Sequence, residues 1–341
     1  TTNLIIFHCY IPTQNIYQLN FYYFCHNIFK MNHIGEIISL VVAVSWTITA
    51  LFANEASRRL GAMTVNVIRM VFATLFLAIM LWIATGTPFP IYADGKAWFY
   101  LALSGLVGYV FGDFCLFNSY VVIGARIGQL FMTLAPPISA ITSWILLGEM
   151  MSWKSWIAMI VTISGIALSI LSKGEKSKIR FNLPIKGVLL GIGAGLGQGV
   201  GLVLSKIGIE HYAQAIPDNA SESFSQILPF ASTMIRSIVG AIGFICWMAL
   251  QKDLKKLKDI SKDRKGFNAS IFATLFGPVI GVSLSLAAVR YTNTGIASTL
   301  MALTPVLIIL PYTLIYKQKV KSKEILGVAI SMIGVALFFM L

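Results

Sequence analysis

Three charged side chains interrupt otherwise apolar runs of the chain: Arg69, Asp113 and Arg236. An ionised side chain in hydrocarbon costs roughly 3 kcal/mol or more unless it is paired or hydrated, so each is a candidate for chemistry. If the runs are neighbouring helices, Arg69 and Asp113 sit at similar depth from the same side and can reach each other. Three roles fit such a pair: a salt-bridge site for a solute, a proton-coupling carboxylate held by an arginine, or a structural ion pair that fixes helix register. Arg236 has no acid at matching spacing. It either lines water and awaits an anionic group or satisfies backbone carbonyls.

Uncharged candidates surround these three. Gln198 lies within alternating glycines (Gly191, Gly193, Gly195, Gly197, Gly199, Gly201). No strand precedes them, so they do not form a dinucleotide loop. On a helix they make two small-residue ridges suited to close packing, dense enough to bend or unwind the helix. Trp46 aligns with Gln198 in an internal repeat, and the two are candidates to face a central cavity. Asn118, Ser119, Tyr120, Gln129 and Thr133 either hydrogen-bond a solute or bond between helices. Pro136-Pro137 and Pro305 free backbone carbonyls and bend their helices, for a solute path or merely to shape a bundle. Gly148-Glu149 at a helix end reads as a solvated or capping feature. Cys9, Cys25, Cys115 and Cys246 form no CxxC pair, and His33 and His211 lie in connections. With no HExxH and no paired intramembrane aspartates, the sequence calls for no metal, no cofactor and no enzyme chemistry.

The elements that must position these residues follow from composition. The chain has 341 residues, 57% hydrophobic and 11% charged, with a mean hydropathy of +0.80. A soluble domain carries about a quarter of its residues as charges, so this is an all-α integral membrane protein. A spanning helix needs about 20 apolar residues. Ten such runs are expected, at 34–53, 64–85, 97–120, 125–147, 154–172, 184–206, 229–250, 267–289, 293–316 and 323–341. The longest connections are 207–228 and 251–266. Residues 1–30 contain no Gly and no acid but eight aromatics, unlike the rest. They are read as a non-native or disordered extension ahead of Met31.

An offset of 169 aligns Ala97–Leu168 with Gly266–Leu337 without a gap, pairing Gly108 with Gly277, Gly112 with Gly281, Pro136 with Pro305 and Gly165 with Gly334. An offset of 167 pairs Ile68-Arg69 with Ile235-Arg236, and 152 pairs Gly35 with Gly187. The chain is therefore two five-helix units, 31–172 and 184–341. Because five is odd, the second crosses the membrane in the opposite sense, as inverted repeats do.

Charge sets an expected orientation. The connections after the odd-numbered spans hold nineteen of the 26 basic residues; the face with both termini holds Lys30, Lys96, Lys154, Lys206 and Arg290. Cytoplasmic loops retain Lys and Arg, so both termini are expected outside. The net charge of +13 is then an orientation signal and no sign of a nucleic-acid partner.

With "GLVGYVFG" leading to "ARIGQLFMTLAPPISAITSWILLGEMMSWKSWIAMIVTISGIAL", and its echo "TNTGIASTLMALTPVLIILPYTLIYKQKVKSKEILGVAISMIGVAL", the sequence resembles the EamA family of the drug/metabolite transporter superfamily over residues 31–341. The resemblance implies a multi-pass carrier of the bacterial inner membrane that moves small solutes by alternating access, often exporting amino acids or related metabolites. Leu147-Gly148-Glu149 match the family's helix-end motif, and Arg69 and Arg236 its second-span arginines. Tyr316-Lys317-Gln318 depart from the motif, and the charge bias departs from the family's habit of cytoplasmic termini. The expected pathway comprises Trp46, Arg69, Asp113, Asn118, Gln129, Pro136, Gln198, Arg236 and Pro305. The expected partners are a small-molecule substrate, protons as a coupling ion and the lipid bilayer, in a monomer or homodimer. The competing reading is a non-transporting membrane protein, such as a lipid scramblase or sensor.

Overall fold

A computed structural model describes residues 33–123, 125–172, 184–218, 224–255, 257, 260, 263–309, 311 and 322–340. Among them every regular element is helical. Eight helices are long and apolar enough to cross a bilayer, and two shorter apolar helices, Trp153–Ser169 and Thr294–Leu307, fill the remaining places. The segment 1–30 lies outside the described residues.

Spans 1 and 2 are single helices, α1 (Ile34–Leu60) and α2 (Ala62–Thr85). Span 3 is composite: α3 (Gly95–Ser104), a π-helical segment Gly105–Asp113, and α4 (Phe114–Ile123). Span 4 is broken into α5 (Ala125–Met132) and α6 (Ala135–Leu147), and span 5 is α7 (Trp153–Ser172). The second half repeats the plan. Spans 6 and 7 are α8 (Ile185–Ala215) and α9 (Leu228–Leu250). Span 8 joins α10 (Arg264–Thr274), a π-helical segment Leu275–Val282 and α11 (Ser283–Tyr291). Span 9 begins with α12 (Thr294–Met301) and α13 (Thr304–Leu307), and α14 (Ser322–Phe339) is span 10.

The irregularities obey the repeat. The π segments end at Asp113 and Val282, mates at the 169 offset. The breaks in spans 4 and 9 fall at Thr133-Leu134 and Ala302-Leu303, also mates, each just ahead of the paired prolines Pro136 and Pro305 that cannot continue an α-helical ladder. Both composite spans start at an aspartate cap: Asp94 accepts from the Ala97 amide and Asp263 from the Gly266 amide. That amide and nearby Arg59 hold the Asp263 carboxyl below the usual carboxylate range.

Each span packs chiefly against a span of the other half: 1 on 8, 3 on 6, 2 on 7 and 5 on 10, with span 4 resting mainly on span 6 and span 9 mainly on span 1. In lipid the hydrophobic effect does little to drive helices together, so close packing decides. Glycine supplies it. A Cβ on Gly197 would lie 2.6 Å from the Gly112 Cα, and one on Gly201 2.9 Å from the Gly108 Cα. The second glycine ridge faces span 4, with Gly191 against Phe131 and Gly199 against Ile138. Spans 5 and 10 meet the same way: Cβ atoms on Gly165 and Gly327 would run into the backbone nitrogens of Ser331 and Ser169. The outer surface is apolar, with Ile83, Trp144, Ile145 and Leu189 more than half exposed.

Three expectations change. The helix α8 is unbroken despite its six alternating glycines and runs to Ala215, so residues 207–215 belong to a span about 46 Å long rather than to a connection. The helix α1 extends to Leu60 and carries Arg58 and Arg59 on its exposed last turn. Lys206, expected at the surface, is 7% exposed within α8.

Candidate functional site

The charged residues converge along span 3. Arg69 on α2 lies 3.6 Å from Asp113 through Nη1 and Oδ2, and the same nitrogen donates to Asn66 Oδ1 at 3.0 Å. Gln198 of α8 donates through Nε2 to the other carboxylate oxygen, Oδ1, at 2.8 Å and to the Gly108 carbonyl at 3.2 Å. One π turn away, the Arg236 guanidinium of α9 stands 4.7 Å from the centre of the Tyr109 ring, within electrostatic reach of Asp113. Arg69, Asp113 and Arg236 are 7%, 6% and 4% exposed.

Local sequence explains why the groups fit. Span 3 turns glycines toward its polar neighbours: a Cβ on Gly108 would sit 3.2 Å from an Arg236 Nη, and one on Gly112 3.3 Å from Gln198 Nε2. Gly277, the mate of Gly108, makes the equivalent space beside Arg69. The extra residue of a π turn also disturbs the carbonyl ladder. Gln198 takes up the Gly108 carbonyl, and Ser45 donates to the Phe276 carbonyl at 2.6 Å.

Of the expected pathway residues, Arg69, Asp113, Gln198 and Arg236 come together. Trp46 lies instead against Gly281, whose Cβ would approach its indole nitrogen to 2.7 Å. Asn118 donates to the Phe114 carbonyl, Ser119 to that of Leu116 and Thr133 to that of Leu130. All three bonds stay within one span, because a short polar side chain in a membrane helix finds its nearest acceptor a turn earlier. Pro136 and Pro305 mark the broken helices. Gln129 lies on α5, and its side chain is outside the described residues, as is that of Tyr120. Two members of the cluster were missed: Asn66, one turn before Arg69 and so on its face, and Tyr109, four residues before Asp113. Helical spacing from the charged residues would have found both.

A second charged group lies toward the face that holds both termini. Glu149 was expected at the water interface. It instead receives Lys206 Nζ through Oε1, while its Oε2 accepts from the Thr294 amide at 3.1 Å and the Thr294 hydroxyl at 2.9 Å. Gly148 ends α6 in the left-handed conformation at φ 69°, and the turn delivers Glu149 to the start of α12. One carboxylate thus ties spans 4, 6 and 9. Beside it, the Thr292 hydroxyl donates to Glu36 of α1 at 2.7 Å. A cleft of about 420 Å³ opens nearby among Tyr100, Leu147, Leu204, Ile207, Glu210 and His211, without reaching the central arginines.

The sequence matches the EamA-like transporter family over residues 33–171 and again over 185–340, so the family unit occurs once in each half. A search of curated proteins finds no match. A solved structure titled only as the crystal structure of a protein is similar at a TM-score of 0.66 with 14% identity, over 90% of this chain and 96% of the other. At that identity the likeness is one of fold alone. The two family matches cover most of the sequence, and the chain belongs to the EamA-like transporter family of the drug/metabolite transporter superfamily as a multi-pass membrane protein.

Proposed function

We propose that the protein is a secondary carrier of a small polar metabolite, working by alternating access in the plasma or inner membrane, in the direction of export, with protons or a counter-solute as the coupling species. It performs no enzymatic step in this reading. The observation that carries it is the buried cluster of Arg69, Asp113, Gln198 and Arg236, set between the two halves where both third spans are π-helical and both fourth spans are broken. Such discontinuities let packed helices switch between arrangements while the site stays fixed. Asp113, held by Arg69 and Gln198, is the group on which a coupling proton would act.

Uptake into proteoliposomes, screened over amino acids, organic acids, amines, sugars and nucleobases with and without a pH gradient, tests this. A gradient-dependent solute is expected. Arg69→Ala and Arg236→Ala are each expected to slow its uptake about ten- to a hundredfold, the worth of a charge-assisted hydrogen bond, in protein that remains monodisperse. Lipid scrambling without solute uptake would favour the scramblase reading.

The basic connections and the positive-inside rule support an orientation with both termini outside. Reporter fusions after Leu341 and within the 251–266 connection are expected to show an external C-terminus and an internal connection. The reverse pattern would overturn the orientation and leave the transport reading intact.

A further inference from the structure

We propose that Arg236 is the docking point for a carboxylate on the transported solute, and that the substrate class is small organic monoanions. This rests on the transport reading above and narrows it.

The central cluster holds two cations and one anion. Asp113 is committed on both oxygens, to Gln198 through Oδ1 and toward Arg69 through Oδ2. It therefore matches Arg69 and leaves Arg236 over. By the repeat, the position that would give Arg236 its own acid is Val282, an apolar residue packed in the cluster that contains Tyr109. Arg236 is 4% exposed, forms no hydrogen bond or ion pair with any described residue, and its Nε is without a partner. Among the described residues the group that faces it is the Tyr109 ring. A ring quadrupole offsets little of what a buried guanidinium loses on leaving water, and an uncompensated buried cation is strongly destabilising.

The neighbouring groups are of one kind. The Asn66 amide nitrogen and Arg69 Nε are likewise buried without hydrogen-bond partners among the described residues, and the buried hydroxyls of Tyr109 and Ser237 stand beside each other with no described partner outside that pair. All of them can donate, and the two arginine nitrogens and the amide can only donate. A planar guanidinium with hydroxyl donors beside it suits a carboxylate, which it can grip through two parallel bonds. A single negative charge balances the site. A second one, as on a phosphate monoester or a dicarboxylate, exceeds it, and an ammonium meets two like charges with no free carboxylate because Asp113 is occupied.

The test uses the full chain in nanodiscs of zwitterionic lipid, with binding read as a shift in melting temperature. The probes are acetate through hexanoate and benzoate, each against its amide and its amine, with 2-aminobutyrate as the zwitterion. One or more carboxylates are expected to raise the melting temperature while the matching amides, amines and 2-aminobutyrate do not. Arg236→Gln is expected to weaken that carboxylate about ten- to a hundredfold. Without ligand its melting temperature should be equal to or above that of the parent, because a buried unpaired charge has been removed. Arg58→Gln, on the exposed end of α1, should change neither reading.

Equal response to amides or amines, preference for 2-aminobutyrate, no response to any carboxylate, or undiminished carboxylate binding in Arg236→Gln overturns the proposal. So does a fall in the unliganded melting temperature of Arg236→Gln, which would mean a structural role. Transport of amines or sugars with no carboxylate binding would sink the proposal and leave the carrier reading standing. Carboxylate binding that depends on Arg236, with no solute transported at all, would do the opposite.

Discussion

Glu149→Gln is expected to destabilise the folded protein by about 3–5 kcal/mol, the range found when one partner of a buried ion pair is removed. The physical reason is what the substitution leaves behind. Lys206 is buried in α8, and among the described residues its only hydrogen-bond acceptor besides Glu149 is the Thr292 carbonyl at 3.5 Å, with Glu210 one turn on within electrostatic reach. A neutral amide in place of the carboxylate cannot match its charge, and it weakens the cap on the first amide of α12. Lys206→Met should do less damage, since Glu149 keeps both bonds from Thr294 and those survive without the lysine. The double variant should recover much of the loss, because no isolated charge then remains. Thermal melting of the four proteins in nanodiscs reads this order directly. Equal losses in both single variants, with no recovery in the double, would place the stabilisation elsewhere.

The second large effect is steric. A valine at position 197 must place its Cβ where the Gly112 Cα lies at 2.6 Å and the Val107 carbonyl oxygen at 2.9 Å. Both obstacles are backbone, which no rotamer change can move. Nor can α8 retreat, because its other glycine ridge already rests on Phe131, Leu134 and Ile138 of span 4. Gly197→Val is therefore expected at or beyond the upper end of the 1–3 kcal/mol typical of overpacked cores. The result should be aggregated protein on size-exclusion analysis, or a sharply lowered temperature in thermal melting. Gly95→Ala is the control, since nothing lies within 4 Å of a Cβ there. A valine variant as stable as that control would show that spans 3 and 6 do not pack through these glycines.

How much of this was legible depended on the scale of the physics. Span count and the repeat were readable because a bilayer imposes one length and one polarity on every helix. Glycine and proline mates such as Gly108 with Gly277 and Pro136 with Pro305 carried the internal symmetry into the sequence. The Asp94 and Asp263 caps carried it further, just ahead of the aligned segment. The Arg69–Asp113 contact was legible because lipid makes any lone charge conspicuous. The fates of Asn118 and Thr133 were not, since a donor on a membrane helix can turn to its own backbone or outward with no change in sequence pattern. Glu149 and Lys206 were misplaced for a related reason. Each stands at the end of an apolar run and reads as surface until the tertiary fold brings two such ends together.

The pairing of every span with one from the other half has a consequence for synthesis. Ser45 and its acceptor, the Phe276 carbonyl, are 231 residues apart in sequence. At about 5–20 residues per second, ribosomes deliver the second partner roughly 12–46 seconds after the first. For that interval the glycine-lined grooves of the early helices and the side chain of Arg69 stand in the membrane without the surfaces that complete them. The molecule is thus assembled late and nearly all at once. Whatever shelters the first five helices while the last five are being made belongs to its folding as much as any contact in the finished protein.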